Sequence, residues 1–296
     1  MSGRRPARAP QVDVRVQRRG LAGAPGAPGT SGAAGEPDVV VVEEPLEVRL
    51  GERSLLITMR TPGQDLDLVR GLLWTEGLVR SPADIAGLAH CEEVPAEAAG
   101  NVVTVSLRAG ASLVEEHAVR AGLVSSACGV CGKSTLEAVA SQAPRVGPGP
   151  RLDAALVAGL PAALRDGQSL FDSTGGLHAA ALFDARGRRL ALAEDIGRHN
   201  AVDKVIGQVL RFRPPPFADT LLAVSGRAGF EIVHKARCAG IPVVASVSAP
   251  SSLSIDLARD GGQTLIGFLR DGRFNVYCGG ERFDEPVAPA APGAGE

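Results

Sequence analysis

The residues best suited to chemistry are Cys128 and Cys131, set three positions apart in Ser125-Ser126-Ala127-Cys128-Gly129-Val130-Cys131-Gly132-Lys133. Leu136, Val139 and Ala140 follow at helical spacing, so the pair is predicted on the first turn of a helix, with Ser125 or Ser126 as cap. The backbone N–H groups of such a turn have no intrahelical partner, and with the helix dipole and Lys133 they favour an anion. Here that anion would be a thiolate, nucleophilic at neutral pH, with a second thiol in reach to resolve or share its load. A CxxC in a reduced chain serves redox or sulfur chemistry, half of a metal site, or structure alone. A zinc site would need two further ligands, and the sequence holds no second CxxC. Cys91, Cys238 and Cys278 stand singly in apolar or strand-like contexts and read as small buried hydrophobes. Gly132-Lys133-Ser134 could close a phosphate-binding loop, but the required glycine five positions earlier is replaced by Ala127, which excludes a nucleotide hydrolase of that kind.

The elements that must position these thiols fall into two lobes. Residues 1–36 are polar or rich in Gly, Ala and Pro, cannot form a core and are expected to be disordered, as are 286–296. Order is expected from Val39-Val40-Val41-Val42 onward. Leu46–Leu50 and Leu55–Met59, separated by Gly51-Glu52, predict a hairpin. A helix follows Thr61-Pro62-Gly63, with Leu66, Val69, Leu72 and Leu73 on one side and Gly77 as its stop. Asn101–Leu107 alternates as a strand, so residues 37–124 read as an α+β lobe without a catalytic cluster of its own.

Residues 125–285 read as an α/β domain carrying the CxxC. Leu152–Leu164 predicts one helix, interrupted or closed near Pro161. Phe171–His178 leads into the apolar strand Ala179–Phe183, which Asp184-Ala185-Arg186-Gly187 turns back into Leu190–Ala193. Glu194-Asp195-Ile196-Gly197-Arg198-His199-Asn200 is a polar loop before an amphipathic helix. Either it carries chemistry at a strand end, or Asp195 and Asn200 cap the helix while Arg198 and His199 face solvent. Thr220–Val224, Ile241–Val247 and Thr264–Phe268 alternate with helices Ala228–Ala239 and Leu253–Arg259, predicting a largely parallel sheet. Ser225-Gly226-Arg227 and Ser248–Ser252 lead into helix N-termini, positions that suit phosphate. At the last bend, Phe268-Leu269-Arg270-Asp271-Gly272-Arg273, two arginines and an aromatic could stack on a heterocycle or grip phosphate, or be solvated turn residues.

The chain has 296 residues, a formal charge of −2 and 45% hydrophobic residues, with few aromatics. That composition suits an aliphatic α/β core and gives no support to a nucleic-acid partner. No apolar run reaches the ~18–20 residues that a bilayer requires, and Arg4-Arg5 is followed by no apolar run of an export signal. Five cysteines, an odd number without framework spacing, point to a reduced cytoplasmic setting.

Four blocks together resemble the formate dehydrogenase accessory sulfurtransferase family, FdhD/NarQ. They are Ser-Ser-Ala-Cys-Gly-Val-Cys-Gly-Lys at 125–133, Thr-Gly-Gly-Leu-His-Ala-Ala at 174–180, Glu-Asp-Ile-Gly-Arg-His-Asn-Ala-Val-Asp-Lys at 194–204 and Ser-Gly-Arg-Ala-Gly-Phe-Glu-Ile-Val-His-Lys-Ala at 225–236. The resemblance covers most of residues 39–285. It implies a cytidine-deaminase-like α/β sheet with helices on both faces, a smaller N-terminal lobe, and a homodimer. It also implies a sulfur carrier that takes a persulfide from a cysteine desulfurase and sulfurates the Mo-bis(molybdopterin guanine dinucleotide) of a formate dehydrogenase. Carried onto this chain, Cys128 is the persulfide carrier, Cys131 its essential neighbour, and Phe268, Leu269, Arg270, Asp271, Gly272 and Arg273 lie near the guanine nucleotide. Ser225 and Arg227 join Arg270 and Arg273 as groups for its phosphates.

Two other readings are weighed against this one. A zinc deaminase uses H-x-E with P-C-x-x-C, but His178 is followed by Ala179 and Ala180, and Ala127 replaces the proline. A structural zinc on Cys128, Cys131 and His178 remains a variant of that reading. The second alternative is a chaperone that holds cofactor or apo-enzyme without moving sulfur.

Overall fold

A computed structural model describes residues 9–16, 36–114 and 143–284. Its strands are β1 (Gln11–Val16), β2 (Glu36–Val41), β3 (Glu44–Leu50), β4 (Arg53–Arg60), β5 (Ile85–His90), β6 (Val102–Leu107), β7 (His178–Asp184), β8 (Arg189–Asp195), β9 (Thr220–Val224), β10 (Val243–Ser246), β11 (Thr264–Arg270) and β12 (Arg273–Cys278). Its α-helices are α1 (Asp65–Thr75), α2 (Ala154–Arg165), α3 (Ser169–Thr174), α4 (Arg198–Leu210), α5 (Phe230–Cys238) and α6 (Ser252–Gly261). The fold is mixed α/β.

The first lobe is a four-stranded sheet, β4-β3-β6-β5, closed on one face by α1. Leu46 and Val48 of β3 meet Val103 and Val105 of β6 and the Leu68, Val69, Leu72 and Leu73 stripe of α1. The second lobe is a six-stranded sheet in the order β12-β11-β10-β9-β7-β8. Only β9, β10 and β11 run parallel; β7, β8 and β12 pair antiparallel at its flanks. The sheet is therefore mixed rather than largely parallel, because the hairpins at 184–189 and 270–273 turn chain ends back instead of crossing over.

Alternation along the strands divides the second core in two. Ala180, Leu182, Leu222, Val224, Val244 and Leu265 pack on α4, α5 and α6. Ala179, Ala181, Phe183, Leu221, Ala223, Val243, Ala245 and Ile266 pack on α2. One small difference from the sequence reading arises here. Pro161 lies inside an unbroken α2, because Val157, Leu160 and Leu164 hold that helix on the sheet. The stretch before His178 contains the short helix α3, whose Leu170 and Phe171 N–H groups donate to the Glu194 carboxylate at 3.0 and 2.8 Å.

Residues 11–16, expected in a structureless tail, form β1 and pair antiparallel with β2. Val12, Val14 and Val16 alternate with polar residues, a strand pattern hidden between Gly- and Pro-rich neighbours. The ribbon rests on α3, where the Ser173 hydroxyl donates to Gln11 Oε1 at 2.6 Å. Residues 1–8, 17–35 and 285–296 lie outside the described residues.

The two lobes meet where α1 crosses α4. A Cβ on Gly71 would stand 1.9 Å from the Asp203 carbonyl oxygen, and one on Gly207 would stand 1.9 Å from that of Asp67. Each helix therefore presents backbone to the other. Trp74 crosses the same seam, donating its Nε1–H to the Cys238 carbonyl at 3.1 Å. Replacing Gly207 with Ala should lower stability by about 3 kcal/mol or more, since the clash is with main chain that cannot swing aside. Urea unfolding checks this, and the expected result is a lower midpoint with an unchanged slope.

Candidate functional site

The parallel strands β9, β10 and β11 all end at one edge of the sheet, and antiparallel pairing brings the start of β7 and the end of β8 to the same edge, with His178 opposite Asp195. The loops there are stitched together. Val247 N–H donates to Val224 O at 3.1 Å, Ser246 Oγ to Gly226 O at 2.6 Å, and Phe268 N–H to Ser248 O at 3.1 Å. Ser225 donates its N–H to Ala179 O and accepts the Ala179 N–H on its Oγ, both at 2.9 Å. Gly226 is needed for close approach: a Cβ there would lie 3.1 Å from His178 Nδ1.

The polar loop after β8 is built from within. Asp195 is fully buried, and its Oδ1 accepts from Gly197 N–H at 2.8 Å and Asn200 Nδ2 at 3.0 Å. Its Oδ2 pairs with Lys204 Nζ at 2.7 Å and accepts Thr61 N–H from the first lobe at 3.2 Å. Asp195 and Asn200 thus hold the turn, and Arg198 and His199 emerge from it beside His178 rather than facing solvent alone. Burial, followed by Arg198, His199 and Arg227, holds the His178 pKa below its ordinary value, so the ring is neutral at pH 7. His199 Nε2 lies 3.2 Å from Glu231 Oε2 on α5.

The predicted residues 268–273 form a hairpin beyond this edge. Asp271 and Gly272 both have positive φ, 54° and 72°, the backbone that a two-residue Asp-Gly turn requires. The pairing slips between Gly267 and Arg270, and Phe268 takes a φ of 51°, a rare conformation for a bulky residue. The bulge turns Phe268 outward to 39% exposure, while Leu269 replaces it in the core under α2. Leu269 is accordingly a core side chain, and what it can offer a ligand at this bend is its backbone. Arg270 sits over the Phe268 ring at 6.0 Å, and Arg270 and Arg273 are both exposed.

Ser225 and Arg227 share the edge with this hairpin. Since β9 and β11 are separated by β10 alone, the two groups lie roughly 10 Å apart at their strand ends. The two phosphate positions foreseen at helix starts are not equivalent. Ser251 and Ser254 close a capping box on α6, whereas α5, after Gly229, has no side-chain cap. Cys128 and Cys131 lie outside the described residues. Cys91, Cys238 and Cys278 are free, partly buried thiols, and burial pushes Cys238 up to about 12, so it is unreactive as a nucleophile.

Beside the edge lies a cavity of about 650 Å³, lined by Pro161 and Leu164 of α2, Phe171 of α3, Gln168, His178 and Ser225 among others. His199 was weighed only as part of the 194–200 loop, and Glu231 and Gln168 were not singled out by sequence reasoning. Glu231 falls inside the 225–236 block, so a signal existed, but Gln168 carries none.

The His199–Glu231 contact has a pH signature. His199, outweighing the opposing effect of burial, holds the Glu231 carboxyl at about 2, below the ordinary 4.5. A carboxylate with a depressed folded-state pKa adds stability above its unfolded value and loses it as pH falls toward its folded value. Between pH ~4.5 and ~2, Glu231→Gln should therefore remove part of the acid sensitivity of the protein, read as a flatter dependence of melting temperature on pH.

The model of the FdhD/NarQ family matches residues 41–284. The sulfur carrier protein FdhD of Nocardia farcinica is 49% identical over 249 residues, covering 83% of this chain and 88% of that protein. The protein of that name from Streptomyces avermitilis is 47% identical over 259 residues, covering 86% and 92%. A crystal structure of a proposed formate dehydrogenase accessory protein from Desulfotalea psychrophila shares the fold at a TM-score of 0.68 and 24% identity, covering 92% of this chain and 98% of the other. With the match spanning every motif block from 125 to 236 and nearly the whole of both lobes, the chain belongs to the FdhD/NarQ family.

Proposed function

We propose that the chain is a sulfur carrier that sulfurates the molybdenum cofactor of a formate dehydrogenase. One observation carries this reading: the family match includes the CxxC, and the other three blocks, far apart in sequence, meet at a single sheet edge. In this reading the Cys128 thiolate attacks the terminal sulfur of a persulfide on a cysteine desulfurase. A new S–S bond forms on Cys128 as the old one breaks, the desulfurase thiolate leaves, and the proton stays on the transferred sulfur. Cys131 is the neighbouring thiol that resolves or shares the load.

The acceptor, Mo-bis(molybdopterin guanine dinucleotide), is a substrate bearing phosphates and flat rings. Arg227 on the edge and Arg270 and Arg273 on the hairpin are exposed cations of the kind phosphates need, and the uncapped start of α5 adds N–H donors. Phe268, turned outward by its bulge, supplies a ring face for stacking. Ser225 accepts the Ala179 N–H and keeps its hydroxyl proton free to donate to a phosphate. The mixed sheet with helices on both faces is read as cytidine-deaminase-like, and the working protein as a cytoplasmic homodimer.

Incubation with a cysteine desulfurase and sulfur-labelled cysteine should place label on Cys128, and Cys128→Ala should abolish both the label and activation of formate dehydrogenase. Retained activation in Cys128→Ala would favour the chaperone reading instead. The double variant Arg270→Ala/Arg273→Ala should leave persulfide loading intact. It should weaken binding of the guanine-dinucleotide cofactor about tenfold or more, with a shallower salt dependence measured by titration at several ionic strengths.

A further inference from the structure

Strands β1 and β2 form a sheet of two, and among the described residues no third strand joins them. An antiparallel pair by itself is marginally stable in water, and each outer edge presents main-chain donors and acceptors. One face of this ribbon is taken. Ser173 of α3 bonds Gln11, and a Cβ on Gly176 would stand 3.2 Å from Val41 Cγ1. Gln11 and Val41 are opposite each other in the register, so both lie on the face that meets the body. Alternation puts Val12, Val14, Val16 and Val40 on the other face, where Val12 and Val40 pair side by side and are 49% and 39% exposed.

The two edges of the ribbon differ. Val42 N–H donates to Pro10 O at 2.8 Å. In an antiparallel ladder the main-chain groups of Val12, Val14 and Val16 then point toward β2, and those of Gln11, Asp13 and Arg15 point away from it. On β2 the outward set includes Pro37, which blunts that edge. β1 contains no proline, and its outward set carries two exposed charges of opposite sign, Asp13 and Arg15.

This edge is complementary to itself. Two copies of β1 paired antiparallel about Val14 set Asp13 of each copy opposite Arg15 of the other, with Val14 against Val14 and Val12 against Val16 on the valine face. Opposite charges at facing positions stabilise an antiparallel pair, as do β-branched pairs, whereas like charges there destabilise it. Registers centred on Asp13 or Arg15 would oppose Asp13 to Asp13 or Arg15 to Arg15, and registers shifted by one residue would set valines against charges. Charge and pattern therefore select the pairing centred on Val14.

We propose that β1 pairs with β1 of a second copy, closing a four-stranded antiparallel sheet, β2-β1-β1-β2, about a two-fold axis. This assigns a surface to the homodimer taken above as the working form, and rests on that part of the reading alone; no sulfur chemistry enters it.

The test is sedimentation equilibrium of the full-length protein over a range of concentrations, with circular dichroism to confirm folding. Asp13→Arg and Arg15→Asp each place like charges opposite each other twice, so each variant alone should self-associate about tenfold or more weakly than the wild type. Mixed in equal amounts, the two variants place Arg against Asp at every facing position and should recover wild-type association as a heterodimer. That recovery should weaken as salt is raised. A dimer indifferent to both variants, or no recovery on mixing, would overturn the β1 assignment while leaving the homodimer in place. A wild-type protein that stays monomeric at every concentration would overturn the assignment and the homodimer together, and would leave the open edge to a strand of another protein. Label transfer to Cys128, read separately, decides the sulfur-carrier reading in either case.

Discussion

Two buried lysines hold the molecule together. Lys204 Nζ pairs with Asp195 at 2.7 Å and donates to the Thr61 carbonyl at 2.9 Å, joining the polar loop of the second lobe to the first. Lys235 Nζ pairs with Asp203 at 2.9 Å and with Glu76 at 2.6 Å, spanning α5, α4 and the end of α1. Burial acts to lower the Lys235 pKa, but the Asp203 and Glu76 carboxylates outweigh it and raise it, so the ammonium stays charged in the core. Such pairs add little net stability over apolar packing, but removing one partner strands a charge and costs about 3–5 kcal/mol. Their value is registry: they permit one seating of α1 on α4, the seating that the facing Gly71 and Gly207 make possible.

That seam and the candidate site are parts of one structure. Asp195, which anchors Lys204, also fixes Gly197 and Asn200, and thereby the turn from which Arg198 and His199 reach toward His178. Asn200 donates in turn to the Met59 carbonyl of the first lobe at 2.7 Å. A change in lobe packing would therefore be felt directly at the edge. The chain that leads to the CxxC is held at both ends: Val114 N–H bonds Leu78 O in the first lobe, and Arg237 bonds Pro144 O in the second. Cys128 and Cys131 belong to the stretch that joins these two anchors.

The edge gathers charge because the sheet is mixed. A purely parallel sheet would place the starts of β7 and the ends of β9 at opposite edges; antiparallel pairing places His178 against Gly226. The bulge at Phe268 performs a similar service for the hairpin. It exchanges the inward position between Phe268 and Leu269, so the core keeps an aliphatic residue and the surface gains an aromatic beside two arginines.

Sequence alone determined much of this. The Leu66–Leu73 stripe, the β7–β8 hairpin and the β9-to-β11 rhythm were legible because each rests on a local period that burial enforces. The four motif blocks identified the family because residue order survives without coordinates. Tertiary structure decided what depends on partners distant in the chain. Examples are the pairing of the short valine strand at 11–16 with 36–41, the continuity of α2 through Pro161, and the antiparallel flanks of the sheet. It also decided that Asp195 and Lys204 are buried partners rather than loop charges, that Leu269 belongs to the core, and that Gln168 lies buried beside a cavity. None of these follows from spacing, because whether a charge, a leucine or an amide meets water or protein is fixed by elements that pack against it from elsewhere.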